Sequence, residues 1–187
     1  MRRLAVFNNI SLDGFFVDAN GDMSWAHQGN DAEFREFTES NAKPGGELLF
    51  GRITYELMAG YWPSPHAAQN NPLVAKQMNA MTKYVFSRTL EKAAWNNAKL
   101  IKGDLVTGVR ALKSSPGPDM VIFGSGTIIS QLAQENLIDE YQFVLNPIAL
   151  GKGRTMFDGL NKKLPLKLIR TQSFKNGKVF LCYEPIE

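Results

Sequence analysis

The chain has 187 residues, of which 44% are hydrophobic and 21% charged, and its formal net charge is +3. These proportions are typical of a globular protein, and the length predicts one domain, 1–187, with a core of its own. The small charge and the lack of a Lys/Arg run argue against nucleic acid as a partner, and no apolar segment predicts a membrane span. A single cysteine, Cys182, excludes an internal disulfide and favours a reducing, cytoplasmic compartment.

Hydrophobic periodicity predicts strands and helices that alternate along most of the chain. The expected strands cover residues 4–11, 47–50, 83–86, 99–102 and 120–123. The expected helices cover residues 31–40, 54–58, 72–81, 105–112 and 128–133. The Lys43-Pro44-Gly45-Gly46 segment should end the first helix, and residues 61–71, rich in Pro and Asn, should form a loop.

The order of these elements predicts the fold class. Strands that alternate with helices over residues 47–148 favour a largely parallel sheet with right-handed crossovers. Two apolar runs near the C-terminus, 166–174 and 179–184, flank Asn176-Gly177, a strong signal for a two-residue hairpin turn. We therefore expect an α/β sandwich whose sheet is mixed, mostly parallel, and ends in an antiparallel hairpin.

Three turns that suit phosphate groups follow predicted strands: Gly51-Arg52-Ile53-Thr54, Ser87-Arg88 and Gly124-Ser125-Gly126-Thr127. Glycines let the backbone approach a phosphate closely, helix N-termini present free N–H groups, and a guanidinium can bind phosphate oxygens in a fork. The carboxyl ends of parallel strands meet at one edge of a sheet. Together the turns predict one extended, multiply charged ligand at that edge.

The third turn does not fit the Rossmann dinucleotide fingerprint. That motif needs a third small residue at position 129, which is Ile129, and it occupies the first strand-to-helix turn of its domain. A phosphate-binding turn and a merely tight turn both remain open for Gly124-Ser125-Gly126. Arg52 and Arg88 together favour a ligand with an additional phosphate, hence NADP(H) over NAD(H).

Seven segments stand in a fixed order over nearly the whole chain: Ser11-Leu12-Asp13-Gly14, Met23-Ser24-Trp25, Phe50-Gly51-Arg52-Ile53-Thr54-Tyr55-Glu56, Phe86-Ser87-Arg88, Phe123-Gly124-Ser125-Gly126, Leu137-Ile138-Asp139-Glu140 and Pro147-Ile148-Ala149-Leu150-Gly151-Lys152-Gly153. This set resembles the dihydrofolate reductase superfamily. The resemblance is closest to the reductase domain of bacterial riboflavin biosynthesis and its stand-alone relatives. It implies a three-layer, dihydrofolate reductase-like sandwich with an eight-stranded, mostly parallel sheet that binds NADPH.

The resemblance also implies roles for residues of this chain. The first and third turns would hold the pyrophosphate, Ser87 and Arg88 would bind the adenosine 2′-phosphate, and Asn9 would border the nicotinamide. The cofactor-binding candidates are Asn9, Gly51, Arg52, Thr54, Ser87, Arg88, Gly124, Ser125, Gly126, Thr127 and Ile128. The substrate-binding candidates are Ser11, Asp13, Trp25 and Asn146.

Hydride transfer also needs a proton donor for the substrate nitrogen, and three carboxylates are candidate catalytic residues: Asp13, Asp31 and Glu33. Folate reductases place a carboxylate on the first helix, which implies Asp31 or Glu33. Each candidate has a structural alternative, because Asp13 can form a turn with Gly14, Asp31 can cap the helix, and Glu33 can be surface charge. Trp25 can stack on a flat heterocycle or fill the core.

We therefore expect an NADPH-dependent reductase that acts on a small heterocyclic substrate. The phosphoribosylaminopyrimidine of riboflavin synthesis is the first candidate, and a dihydrofolate or pterin is the second. A nucleotide-binding protein without catalytic activity is the alternative from a different class. The two histidines, His27 and His66, lack ligand spacing, so no metal site is expected, and the resemblance implies a homodimer.

Overall fold

The computed structural model describes residues 1–29, 31–41 and 45–186, and its strands and helices alternate as the sequence predicts. The strands are β1 Leu4–Ser11, β2 Phe15–Asp18, β3 Glu47–Gly51, β4 Lys83–Phe86, β5 Ala98–Ile101, β6 Met120–Phe123, β7 Glu140–Asn146, β8 Gly153–Thr155, β9 Leu166–Ser173 and β10 Val179–Pro185. The helices are α1 Ala32–Asn41, α2 Arg52–Tyr61, α3 Pro65–Asn70, α4 Pro72–Ala80, α5 Leu105–Ser114 and α6 Gly126–Gln134, with a 3-10 helix at Ser24–His27.

One eight-stranded sheet organises the molecule, in the order β5-β4-β3-β6-β1-β7-β10-β9. The six strands from β5 to β7 pair in parallel, whereas β10 pairs antiparallel with both β7 and β9. The central strand β3 is buried on both sides at Leu48, Leu49 and Phe50, as expected for a parallel strand covered by helices. The predicted mixed, mostly parallel sheet is therefore confirmed.

One face of the sheet, here called the closed face, is covered without a break. Val109 from α5 and Ile129 and Leu132 from α6 are fully buried against Leu4, Val6 and Ile122 of the central strands. The short ribbon formed by β2 and β8 extends this layer through Phe16. These residues form the largest apolar cluster of the molecule, so most of the hydrophobic stabilisation lies here.

The opposite face, here called the cleft face, has two smaller cores that stay apart. In the first, Phe34 and Phe37 of α1 pack against Phe180 of β10. The second gathers Met78 of α4 and Trp95 over the strands β3 and β4. A cleft of about 1620 Å³ lies between these cores and extends to the carboxyl edge of the sheet.

Several expected boundaries differ from the structure. The expected loop over residues 61–71 contains α3, because Ser64 caps the N-terminus by accepting a hydrogen bond from Ala67 N–H at 3.2 Å and Pro65 fits the first helical position. Strands β2 and β8, of four and three residues, were not predicted because such short segments show little periodicity. Strand β7 was not delimited in the sequence analysis either, which gave only alternating strands and helices over residues 47–148. Lys43 and Pro44, expected to end the first helix, lie outside the described residues.

The C-terminal hairpin is confirmed, but its turn is longer than predicted. Phe174 N–H donates to Lys178 O at 2.9 Å, which leaves residues 175–177 as a three-residue connection. Gly177 has φ +85°, the left-handed conformation that closes such a turn. Within the described ranges, no helix is long and apolar enough to cross a bilayer.

Candidate functional site

Two of the three predicted phosphate-binding turns are joined by a hydrogen-bonded network. The backbone N–H of Gly51 donates to Ser125 Oγ at 3.0 Å, and the Ser125 hydroxyl donates to Thr54 Oγ1 at 2.8 Å. Gly51 ends β3 and Thr54 lies in the first turn of α2, whereas Ser125 stands between β6 and α6. The network therefore fixes the two turns side by side at the carboxyl edge.

The backbone at Gly124 leaves no room for a side chain. Its φ is +59°, and a Cβ atom added there would lie 2.9 Å from Thr54 Oγ1. The Gly124 N–H donates to Asn8 Oδ1 at 2.8 Å, while Asn8 Nδ2 contacts Met156 Sδ at 3.4 Å. Glycine is required here by both conformation and space. Sequence reasoning did not single out Asn8, because Asn8 and Asn9 are adjacent in an apolar strand and have no distinctive spacing.

Two helix N-termini face the same part of the cleft. Helix α2 begins at Arg52 and α6 at Gly126, and neither preceding residue makes a side-chain capping hydrogen bond. Ser125, just before α6, has φ +59°, and its carbonyl accepts hydrogen bonds from the N–H groups of Ile128 and Ile129. In the described residues, the N–H groups of Gly126 and Thr127 at the start of α6 have no hydrogen-bond partner. Free N–H groups and the positive ends of two helix dipoles favour an anion between the turns.

The third predicted turn is organised differently. Ser87 Oγ accepts hydrogen bonds from Thr89 N–H and Leu90 N–H, at 3.3 and 2.9 Å, which shapes the backbone after β4. Arg88 is exposed and lies close enough to Asp104 to help lower the pKa of that carboxyl, although hydrogen bonds from Thr107 contribute most. Arg52 forms an ion pair with Glu56 at 2.9 Å. All the predicted cofactor residues except Arg88 line the cleft.

Asp13 is held by the backbone of the segment that follows β7. Its carboxylate accepts from Leu150 N–H at 3.0 Å and Gly151 N–H at 2.7 Å, and from the Ser11 hydroxyl at 2.6 Å. The Ser11 hydrogen bond and these backbone donors lower the pKa of Asp13 to about 2. The side chain is therefore ionised at neutral pH and joins two loops.

The two other predicted catalytic carboxylates also bind backbone groups. Asp31 Oδ1 accepts from Phe34 N–H at 2.9 Å, which is a helix N-cap interaction. Glu33 Oε2 accepts from Lys175 N–H at 3.3 Å and thereby links α1 to the β9–β10 turn. Asp13, Asp31 and Glu33 are all absent from the cleft lining. In this structure each of the three carboxylates therefore binds a backbone N–H group.

The remaining substrate candidates lie beneath the surface of the cleft. Ser11 is fully buried, and its Oγ accepts from Phe15 N–H at 2.9 Å. Trp25 is 7% exposed and donates its indole N–H to Asp22 O at 3.2 Å. Asn146 is 2% exposed, and its amide N–H groups point to Asn9 Oδ1 and to two backbone carbonyls. These three side chains are hydrogen-bonded to protein groups and do not line the cleft.

The part of the cleft beyond the turns is mostly apolar. Phe7 and Phe123, whose ring centroids are 5.7 Å apart, lie on its floor. One wall comes from α1 through Phe34, Phe37, Thr38 and Asn41, and the other comes from α2 and α4 through Met58, Val74, Gln77 and Met81. The oxygen Oε1 of Gln77 is buried without a hydrogen-bond partner in the described residues. Such a wall suits a flat ring with polar edge atoms.

Asp22 is a carboxylate that does line the cleft. It accepts hydrogen bonds from the hydroxyl and the backbone N–H of Ser24, at 2.5 and 3.1 Å, and these lower the pKa of Asp22. In the part of the chain that the structure describes, no group of three or more His, Cys, Asp or Glu residues is placed to bind a metal ion.

Comparison with known proteins places this geometry in a defined fold. The structure matches dihydrofolate reductase from Enterococcus faecalis, determined in complex with NADP(H), with a TM-score of 0.65 at 14% identity over 99% of this chain and 97% of that one. It matches a protein described as belonging to riboflavin biosynthesis, from Shewanella sp. PV-4, with a TM-score of 0.74 at 23% identity over 99% of both chains. The fold is therefore that of dihydrofolate reductase.

The family is defined by a sequence comparison. The model of the RibD C-terminal domain matches residues 2–180, so this chain belongs to that family. The uncharacterized protein YyaP of Bacillus subtilis (strain 168) is 29% identical over 97% of this chain and 94% of its own length. A deaminase and 5-amino-6-(5-phosphoribosylamino)uracil reductase from Thermotoga maritima matches with a TM-score of 0.69 at 15% identity, over 99% of this chain and 57% of that one.

Proposed function

We propose that this protein is an NADPH-dependent reductase that transfers a hydride to a C=N-type bond, or to a ring-opened sugar imine, of a small heterocycle. The observation that carries the proposal is the network of Gly51, Ser125 and Thr54, which joins two open helix N-termini at the carboxyl edge. This arrangement matches the needs of a diphosphate. The RibD C-terminal family membership supports the reductase chemistry.

The residues present fit a nicotinamide dinucleotide. A Cβ atom on Gly51 would lie 3.1 Å from Ile128 Cδ1, and one on Gly126 would lie 3.0 Å from Phe16. With glycine at both positions the backbone can approach a phosphate closely. Gly51, Thr54 and Ser125 to Thr127 would hold the diphosphate, and Asn9 would border the nicotinamide. The bound cofactor supplies the hydride, while the protein positions the two reactants.

The apolar part of the cleft would bind the substrate ring. Phe7 and Phe123 provide a flat floor, and the buried Oε1 of Gln77 can accept a hydrogen bond from a ring N–H if the amide turns toward the cleft. The first candidate substrate is 5-amino-6-(5-phosphoribosylamino)uracil, the compound named in the Thermotoga maritima protein. Dihydrofolate is the second candidate, supported by the fold shared with dihydrofolate reductase.

Reduction of the substrate needs a proton in addition to the hydride, and the three predicted carboxylates, Asp13, Asp31 and Glu33, do not line the cleft in which the substrate would bind. Asp22 lines the cleft, but its lowered pKa keeps it ionised at neutral pH, where it accepts rather than donates a proton. We propose that solvent water delivers the proton at the open end of the cleft and that Asp22 orients this water.

Titration of the purified protein with NADPH and NADH, followed by nicotinamide fluorescence, tests the cofactor assignment. Arg88→Ala should weaken the binding of NADPH by about 1.5–3 kcal/mol and the binding of NADH much less, because charge-assisted hydrogen bonds to the 2′-phosphate would be lost. Equal losses for the two cofactors would contradict the role of Arg88. Loss of NADPH absorbance with either candidate substrate would then identify the reaction, whereas tight binding without turnover of either would favour a nucleotide-binding protein.

We further propose that the protein forms a homodimer through the strand edge β9. This strand is exposed along nearly its whole length, with Leu168 and Ile169 each about half exposed. Unpaired strand edges that carry apolar side chains favour association. Analytical ultracentrifugation tests the proposal, and Leu168→Lys together with Ile169→Lys should shift a dimer to a monomer. A wild-type protein that sediments as a monomer would contradict it.

A further inference from the structure

Four arginines line the cleft, and they differ in their partners. Arg3 forms ion pairs with Glu184 and Glu140, and Arg52 pairs with Glu56. Arg154 and Arg170 have no carboxylate within ion-pair distance in the described ranges. Arg170 lies over the Phe180 ring. It is opposite Cys182 in the sheet, and Cys182 is opposite Gln142, so Arg170 lies at the level of the amino-terminal half of β7 and not at the carboxyl edge. Arg154 is therefore the arginine without a carboxylate partner that lies near the phosphate-binding turns.

The position of Arg154 is set by contacts at the start of α6. Its neighbour Thr155 places a backbone carbonyl 3.3 Å from the point where a Cβ on Gly126 would lie, and Phe16 closes the same space at 3.0 Å. The guanidinium carbon of Arg154 lies 5.7 Å from the centre of the Phe16 ring. The positive charge thus stands beside the same ring that contacts the α6 N-terminus.

Arg154 also touches the loop that follows β2. A Cβ on Gly21, which has φ +82°, would lie 3.9 Å from an Arg154 guanidinium nitrogen. Gly21 and its neighbour Asp22 line the cleft as well. The side chain therefore spans from the phosphate-binding turns to the loop at the mouth of the cleft.

We propose that Arg154 is a diphosphate-binding residue of this site and holds the loop at Gly21 over the bound dinucleotide. An arginine at the rim of a cleft, with its donors unpaired, is suited to bind phosphate oxygens in a fork. The open N–H groups of α6 would bind the diphosphate from one side and Arg154 from the other. This inference rests on the proposed binding of a nicotinamide dinucleotide. It assigns Arg154 to the diphosphate, which NADPH and NADH both carry.

The assignment predicts a pattern that differs from that of Arg88. Fluorescence titration of Arg154→Ala should show a dissociation constant raised by about 10-fold or more for NADPH and by the same factor for NADH. Arg154→Lys keeps the charge but loses the fork, so an intermediate value is expected. The affinity of Arg154→Ala should also depend less on salt concentration than that of the wild type.

A matched control separates the role of Arg154 from a change in net charge. Lys152 is exposed, belongs to the same segment and does not line the cleft, so Lys152→Ala should bind both cofactors within about twofold of the wild type. Equal affinities for Arg154→Ala and Lys152→Ala would overturn the proposal. A loss confined to NADPH would overturn it too, because it would assign Arg154 to the 2′-phosphate.

Failure of the proposed function can be told apart from failure of this inference. If the wild-type protein binds neither dinucleotide, the proposed function fails, and inorganic pyrophosphate becomes the probe for Arg154. Thermal unfolding of wild type and Arg154→Ala is then followed with and without pyrophosphate. Stabilisation of the wild type alone would support the diphosphate assignment, whereas an equal response, or none, would overturn it.

Discussion

The two faces of the sheet are both covered by apolar side chains, yet the cleft of about 1620 Å³ lies on one of them. On the closed face, α5, α6 and the β2–β8 ribbon merge into one apolar cluster. On the cleft face, α1 and α4 each gather a separate aromatic core, and the floor between them is left to Phe7 and Phe123. A binding site in this fold thus results from two cores that do not meet.

The buried lysines of the two faces show the same contrast. Lys113, at the edge of the closed face, forms an ion pair with Asp139. On the cleft face, Lys83 donates to two backbone carbonyls and lies 4.3 Å from the centre of the Trp95 ring, and Lys178 lies 4.4 Å from that of Phe34. Burial lowers the pKa of both Lys83 and Lys178 to about 8. Lys113 also donates to a backbone carbonyl, that of Leu137 at 2.9 Å, so the feature particular to the cleft face is the aromatic ring beside each buried lysine.

The largest expected effect concerns the closed face. Leu132→Ala should lower the free energy of unfolding by about 2–5 kcal/mol, because the side chain is fully buried and its loss leaves a cavity. Leu57, which is 56% exposed beside the cleft, is the matched control, and Leu57→Ala should change stability by less than about 0.5 kcal/mol. Urea denaturation measures both, and similar losses would remove the distinction between the faces.

Gly124 lies where the two faces meet, between Asn8 on one side and Thr54 on the other. Gly124→Ala should destabilise the protein by about 1–2 kcal/mol, because alanine disfavours the positive φ at this position. It should also weaken the binding of NADPH, because the added methyl group would displace Thr54. Gly60→Ala in α2 is the control, since no atom lies within 4 Å of the added Cβ and the helix should gain about 0.5–1 kcal/mol. If Gly124→Ala bound NADPH like the wild type, the turn would not be part of the cofactor site.

A pH dependence of the free energy of unfolding is also expected, and it arises on the cleft face. The pKa of Lys83 is about 8 in the folded protein and about 10.5 when unfolded, so between these values the unfolded chain binds more protons. The contribution of Lys83 to stability therefore rises with pH across this window. Lys178 contributes a rise of the same sign over the same window, so Lys83→Met should reduce the slope without abolishing it, measured as the free energy of unfolding at both ends of the window. A slope identical to that of the wild type would contradict the lowered pKa.

Much of the geometry of the proposed cofactor edge was predictable because its signals are local. Gly51 to Thr54 and Gly124 to Thr127 each combine a strand end, glycine and a helix start within a few residues. Their meeting at one edge then follows from the parallel sheet. The hairpin around Gly177 was predicted for the same reason, although its turn has three residues rather than two. The surroundings of the candidate catalytic carboxylates were harder to predict, because Asp31 and Glu33 have the same sequence pattern whether they bind backbone groups or face a ligand.

The sequence by itself determined the class of the fold, most of its alternating strands and helices and the placement of glycine-containing turns at strand ends, since periodicity and turn chemistry act over a few neighbouring residues. Only the tertiary structure decided which polar groups reach the cleft. It turned the Asp13 carboxylate toward the backbone of Leu150 and Gly151 and brought Asn8 to Gly124. It also placed Arg154 beside the start of α6. These contacts join residues far apart in the chain, so they depend on how the layers pack and not on any local pattern.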